Sequence, residues 1–178
     1  MASSVPASTL DVRRATSVSD AEIEALADVL IDCVDGGASV SFMLPMTRDK
    51  ALAFWRSVAD GVARGERVLL LAEDAQGIVG TVQVILAQPE NQPHRADVAK
   101  MLVHRRARRQ GAGAALMRAA EREALAEGKT LLVLDTADDT AARLYARLGW
   151  QAAGTIPRYA LLPAGGECAT TYFYRSLT

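Results

Sequence analysis

Two hydrophobic rhythms alternate along this chain. Near the start, Leu10 to Arg14 is short and extended in character, a candidate first strand. Ile23, Leu26, Ala27, Leu30 and Ile31 then recur at the three- and four-residue spacing of one helical face, with Ser19 or Asp20 placed to cap it. The glycines and proline of "DGGASVSFMLP" (35–45) break that rhythm and predict a loop. Thr47 can cap a second helix, with Leu52, Trp55, Val58, Ala59 and Val62 inward and an end near Gly65.

From residue 67 the rhythm changes. Two apolar, β-branched runs flank Asp74-Ala75-Gln76-Gly77, the signature of a hairpin. A polar loop with two prolines (87–95) leads to the strand "ADVAKMLV" (96–103). Arg109 to Glu127 reads as a helix marked by Leu116, Ala119, Ala120, Glu123 and Leu125, and Gly128 ends it. "TLLVLDT" (130–136) is an unbroken apolar strand, which predicts burial on both faces and a central, parallel position. Asp138 or Asp139 caps a short helix bearing Ala142, Leu144, Tyr145 and Leu148, stopped by Gly149. Trp150 to Ile156 and Thr170 to Leu177 are the last strands, with "PRYALLPAGGE" as the loop between them. Helices and strands in this order predict an α/β fold with a mixed sheet.

Composition narrows the function. The chain has 178 residues, half of them apolar and 23% charged, with a formal net charge of -1. That suits one domain, 10–178, preceded by a small, polar tail (1–9) that reads as disordered and unlike a secretory signal. A general nucleic-acid binder would carry a basic excess, and no run approaches the ~20 apolar residues that span a bilayer. Cys33 and Cys168 are far apart, and His94 and His104 complete no metal spacing. The expectation is a cytoplasmic protein without metal, membrane or nucleic-acid partner.

Against that neutral background, "KMLVHRRARRQGAGAALM" (100–117) stands out. It sets Arg105, Arg106, Arg108 and Arg109 directly before Gly111 and Gly113. A solvated turn and an anion cradle both look like this. A Walker loop is excluded, because no Gly-Lys-Ser/Thr follows. The dinucleotide fingerprint fits poorly: Leu116 holds its last glycine position and seven residues separate Val103 from Gly111, although Asp135 lies at the right distance for a ribose-binding acid. Arg108-Arg109-Gln110-Gly111-Ala112-Gly113 instead satisfies [QR]xxGxG, and about thirty residues later "LYARLGW" (144–150) follows a strand and a capped helix.

These two blocks, spanning roughly 98 to 156, resemble the GCN5-related N-acetyltransferases (GNAT). The resemblance implies a mixed central sheet of about six to seven strands flanked by about four helices. A splayed parallel strand pair in that sheet would bind acetyl-CoA. Within the family, "GGASVSFM" (36–43), "RADVAKMLV" (95–103) and "LDT" (134–136) are most similar to the tabtoxin resistance proteins. The implied cofactor contacts are Met101, Leu102 and Val103 along the strand, then Arg108, Arg109, Gln110, Gly111, Ala112, Gly113 and Ala114 around the diphosphate. Glycines let the backbone approach an anion, and a helix start adds amide donors and partial positive charge. Asp138 stands where the family usually has Asn; an ionised carboxylate accepts but cannot donate, so it either caps its helix or meets the cofactor by another route.

The implied reaction is acetyl transfer to an amine of a small molecule: an amino-acid-like compound, a toxin or an antibiotic. Alternatives are acetylation of a protein N-terminus or lysine, and a CoA-binding module without turnover. Tyr145 is the candidate acid for the departing thiolate. Asp135, ending its strand, and Asp97, opening the other, are the candidate bases; Glu73 is a third carboxylate that would line the acceptor site. "GGASVSFM" would form a flexible wall of that site. His104, beside four arginines, is better suited to solvent or phosphate than to a base. The resemblance also implies a homodimer through the last strands.

Overall fold

The period-two alternation of the strands sorts two cores onto opposite faces of one sheet. The computed structural model describes residues 9–177. The predicted tail therefore lies outside the described residues except for Thr9. The elements, in order, are β1 (Asp11–Ala15), α1 (Asp20–Asp35), α2 (Arg48–Ala63), β2 (Arg67–Asp74), β3 (Gly77–Ile85), β4 (Arg95–Val103), a 3-10 turn (Arg105–Ala107), α3 (Ala112–Ala126), β5 (Leu131–Thr136), α4 (Asp139–Arg147), β6 (Gln151–Leu161) and β7 (Glu167–Ser176). Seven strands form one mixed sheet in the order β1-β2-β3-β4-β5-β7-β6. Only β4 and β5 run parallel among the paired strands.

Leu69 and Leu71 point to one face and pack with Leu26, Leu30, Val58 and Trp55 of α1 and α2. Val68 and Leu70, one residue out of phase, point to the other face and pack with Leu116, Ala120 and Tyr145 of α3 and α4. Each fully buried leucine contributes about 1.5–3 kcal/mol of transfer free energy. Ser19 caps α1 in a reciprocal capping box with Glu22, and Thr47 caps α2.

Four local expectations are corrected. Helix α3 starts at Ala112, not Arg109, because Arg109 and Gly111 both take positive φ (61° and 83°) and cannot continue a helix. Its Leu125 faces solvent, and Ala124 packs inward instead. Strand β6 runs on to Leu161, so the first half of the predicted loop "PRYALLPAGGE", 157–161, is strand. The backbone irregularity between Ile156 and Ala160, with Arg158 at φ 57°, lets pairing with β7 resume past Pro157. Strand β5 is parallel to β4 on one side only, with β7 antiparallel on the other. Leu132 and Leu134 are buried, Leu131 and Val133 half-buried, because the α1/α2 face of the sheet opens beside β5.

Candidate active site

Strands β4 and β5 pair at Arg95–Leu131, Ala96–Leu132 and Asp97–Val133, and then part. From Val98 to Val103 strand β4 has no partner on its β5 side. Its other side stays paired to β3 through Gly80–Val103 and Thr81–Leu102. His104 N–H donates to Val79 O of β3 (2.8 Å). Successive amides in a strand point to opposite sides, so the Val103 and Met101 N–H groups point into the gap, and the Leu102 N–H faces β3. Two of the three predicted strand contacts therefore open onto the gap, and Leu102 turns its side chain into the α1/α2 core.

A β-bulge accounts for that reversal. The β3–β4 register shifts between Thr81 and Gln83, with Lys100 at φ 53°. Before it, Ala96 and Val98 face α3; after it, Leu102 faces α1 and α2, although strict alternation would place all three together. No sequence rule pointed to Lys100. The bulge turns it into the cleft on the α1/α2 face, where its Nζ donates to Ser41 Oγ (3.0 Å) and lies 5.9 Å from the Phe54 ring centre. Burial pushes the Lys100 ammonium below the usual lysine range, against an upward pull from Asp135.

At the open end of the gap stands the glycine turn. The first helical bond of α3 is Ala115 N–H to Gly111 O (3.0 Å), and Gly111 offers no side-chain cap. Among the described residues, the N–H groups of Ala112, Gly113 and Ala114 meet no protein acceptor. An uncapped helix start of this kind is an anion site. At Gly113 a Cβ would lie 3.0 Å from Leu144 Cδ2 and 3.7 Å from Met101 Sδ, so glycine lets α3 begin tight against α4 and β4. Replacing Gly111 by valine should cost about 1–3 kcal/mol, because a β-branched residue is forced to positive φ; urea denaturation checks this.

The basic run divides by partner. Arg105 binds Asp32 of α1 through its backbone (2.9 Å) and its side chain, and Arg106 pairs with Asp74 on the hairpin. Burial pushes the Asp32 carboxyl up, but the bonds from Arg105 outweigh it and hold it below the usual carboxylate range. Arg108 Nε donates to Val103 O (3.3 Å), fixing the turn to the strand that feeds it. Gln110 Nε2 donates to Arg106 O (3.1 Å). Arg109 makes no hydrogen bond or ion pair with any described residue. His104 Nδ1 accepts from Arg106 N–H (3.2 Å) and so caps the 3-10 turn.

The carboxylates are not alike. Glu73 is held by Arg13 (2.8 and 3.1 Å) at the β1–β2 edge and lines no part of the cleft, because β3 and β4 stand between β2 and β5 in the sheet. Asp97 faces the cleft but is bound by Arg95 and by Gln88 Nε2 (3.1 Å). Asp135, two residues past the last β4–β5 pair, accepts from Thr170 Oγ1 (2.7 Å). Its strand partner is Tyr172, whose hydroxyl shares a hydrogen bond with Tyr159 (2.9 Å); that bond, with burial, pushes the Tyr172 phenol up to about 12.

Tyr145 is 5% exposed and packs against Trp150 and Phe173 (6.1 and 5.8 Å between ring centres). Burial, then the charges of Asp138 and Asp135, push its phenol well above the usual value. Asp138 caps α4 by accepting from Ala141 N–H (2.7 Å), so its carboxylate is engaged in the helix. The segment "GGASVSFM" runs across the cleft. Ser41 meets Lys100, Ser39 lies 3.7 Å from Cys168, Phe42 packs edge-on against Phe54 at 5.3 Å, and the next residue, Leu44, donates to Pro163 O (2.9 Å). Among the described residues no group of three His, Cys, Asp or Glu is placed to hold a metal, and no helix is long and apolar enough to cross a membrane.

The fold that carries this site is also that of known proteins. A GCN5-related N-acetyltransferase from Kribbella flavida superposes with a TM-score of 0.77 at 24% identity, over 94% of this chain and 98% of that one. A phosphinothricin acetyltransferase of the GNAT superfamily from Sinorhizobium meliloti, solved in complex with acetyl-CoA, gives 0.78 at 17%, over 95% and 89%. A ribosomal-protein-alanine N-acetyltransferase from Brucella melitensis gives 0.76 at 20%, over 93% and 99%. At these identities the likeness shows the fold. The sequence itself matches the acetyltransferase (GNAT) domain family over residues 65–152, which takes in the hairpin, the splayed strands, the glycine turn and α4. Residues 65–152 thus match a GNAT acetyltransferase domain, and the chain as a whole has the GNAT fold.

Proposed function

We propose that this protein transfers the acetyl group of acetyl-CoA to the amine of a small molecule. The observation that carries the reading is the parting of β4 and β5 after Asp97–Val133, with free amides on one wall of the gap and the α3 start at its end. The N–H groups of Met101 and Val103 would hold the pantetheine arm and polarise the acetyl carbonyl; a donor of this kind is worth about 3 kcal/mol. Ala112, Gly113, Ala114 and Arg109 would hold the diphosphate.

In the reaction the amine nitrogen forms a bond to the acetyl carbon as the carbon–sulfur bond breaks. Asp135 takes the amine proton, directly or through water, and Tyr145 returns a proton to the sulfur. Asp135 suits the first role better than Asp97, which already carries Arg95 and Gln88. The raised Tyr145 phenol keeps its proton across the neutral range, so it is present to hydrogen-bond the sulfur and be shared with it as the carbon–sulfur bond breaks. A small acceptor is favoured by the α1–α2 segment, which Ser41 fastens to Lys100 over the cleft. Similarity of that segment to the tabtoxin resistance proteins favours an amino-acid-like acceptor.

Saturating acetyl-CoA should raise the unfolding temperature, and at a hundredfold excess over Kd the gain is about 2.7 kcal/mol. Thiol release is then measured with a panel of small amines and with peptides bearing free N-termini or lysines. Release with small amines supports the proposal. Release with peptides alone moves the activity to proteins. Binding without release from any acceptor leaves a CoA-binding module, and no thermal shift overturns the reading.

A further inference from the structure

The charges lining the cleft do not cancel in the way those around them do. Asp97 is matched by Arg95, Asp32 by Arg105, and Asp74 by Arg106. Two groups on the cleft face form no ion pair with a described residue: Asp135 on β5, which accepts from the neutral Thr170 hydroxyl, and Lys100 on β4, which donates to the neutral Ser41 hydroxyl. Both lie just past the point where the two strands part, one on each wall. They attract each other, because Asp135 pulls the Lys100 ammonium upward, yet they do not meet in an ion pair.

Holding a lysine here is costly. Its backbone sits in the left-handed region at φ 53°, and its half-buried side chain sets the ammonium beside Phe54. A half-buried cation held by one hydroxyl and an aromatic face lacks the anion that ordinarily accompanies such a charge. The segment that supplies Ser41 is the roof of the cleft, so the Nζ is held at the boundary between the bulge and the acceptor space.

Building on the acetyl transfer proposed above, we propose that Lys100 binds an anionic group of the acceptor while Asp135 receives its amine, so that the cleft selects amines carrying a carboxylate or comparable anion. Asp135 and Lys100 then bind the two ends of one molecule, the amine end at the open thioester wall and the anionic end under Ser41. The charge-assisted pair that forms at Lys100 replaces the missing anion, and it is made only by acceptors that carry one.

The test uses matched acceptors: an amino acid and its uncharged primary amide, each assayed for thiol release with the intact protein and with Lys100→Met and Lys100→Gln. The protein as it stands should prefer the carboxylate by about tenfold or more in kcat/KM. Both variants should bring that ratio near one, chiefly through a rise in KM for the carboxylate. The acetyl-CoA thermal shift of each variant reports whether its cleft is folded. If the amide and the carboxylate are used equally well, or if the preference survives both substitutions in folded protein, Lys100 is not the anchor. A mass gain of one acetyl group on Lys100 after incubation with acetyl-CoA alone would also overturn the proposal, by making Lys100 an acceptor. If neither acceptor releases thiol although acetyl-CoA binds, the transfer reading fails instead; turnover without discrimination fails this proposal alone.

Discussion

Replacing Asp135 with asparagine should lower kcat/KM for the amine acceptor about a hundredfold or more, the usual loss when a positioned proton acceptor is removed. An alkyl ammonium of pKa near 10 is protonated at neutral pH, and an amide cannot take its proton. The fold should survive, because the asparagine carbonyl can still accept from Thr170 Oγ1 as Asp135 Oδ2 does at 2.7 Å. Acetyl-CoA binding, measured by thermal shift, should be unchanged, since the proposed diphosphate contacts lie at the start of α3, not on β5. The companion Asp97→Asn should cost less, because Asp97 is tied to Arg95 and Gln88 and stands before the strands part. If Asp97→Asn proves the more damaging, the roles of the two carboxylates are exchanged.

Tyr145→Phe should reduce kcat by about a hundredfold while leaving acetyl-CoA affinity close to normal, as expected for loss of a general acid. The ring itself fills the core between Trp150 and Phe173, and phenylalanine keeps that packing. A second readout depends on pH. Burial and the charges of Asp138 and Asp135 raise the phenol in the folded protein, so folded protein holds the proton more tightly than unfolded chain. The associated stability is present below the ordinary tyrosine pKa of about 10 and is lost as pH rises from there toward the raised value. The phenylalanine variant has no such loss, so its unfolding temperature should fall less than that of the intact protein between neutral pH and about pH 11. Unchanged turnover in a folded Tyr145→Phe protein would remove the phenol from the mechanism and leave it a core aromatic.

Much of the frame was legible because it depends on neighbours along the chain. The caps at Ser19, Thr47 and Asp138 use a side chain and an amide three residues on. The hairpin at Asp74–Gly77 and the glycine turn before α3 are equally local. Where sequence reasoning missed, the deciding partner was distant. Arg105 and Arg106 look like a free basic patch until Asp32 and Asp74 are folded against them. Glu73 looks available until Arg13 takes it. Leu125 fits a helical face by spacing alone, but the sheet meets α3 at Ala124.

The sequence by itself determined the class of fold, the order of its elements and the glycine turn before α3, since hydrophobic period, capping and glycine placement act over a few residues. The tertiary structure alone decided which of those residues share a cleft. Strand β4 parts from β5 after Asp97 and bulges against β3 at Lys100, and that bulge reverses the phase of the strand and sends Lys100 to the face of Asp135. A register shift leaves no periodic trace in the residues that make it. It becomes visible only when the neighbouring strand is in place.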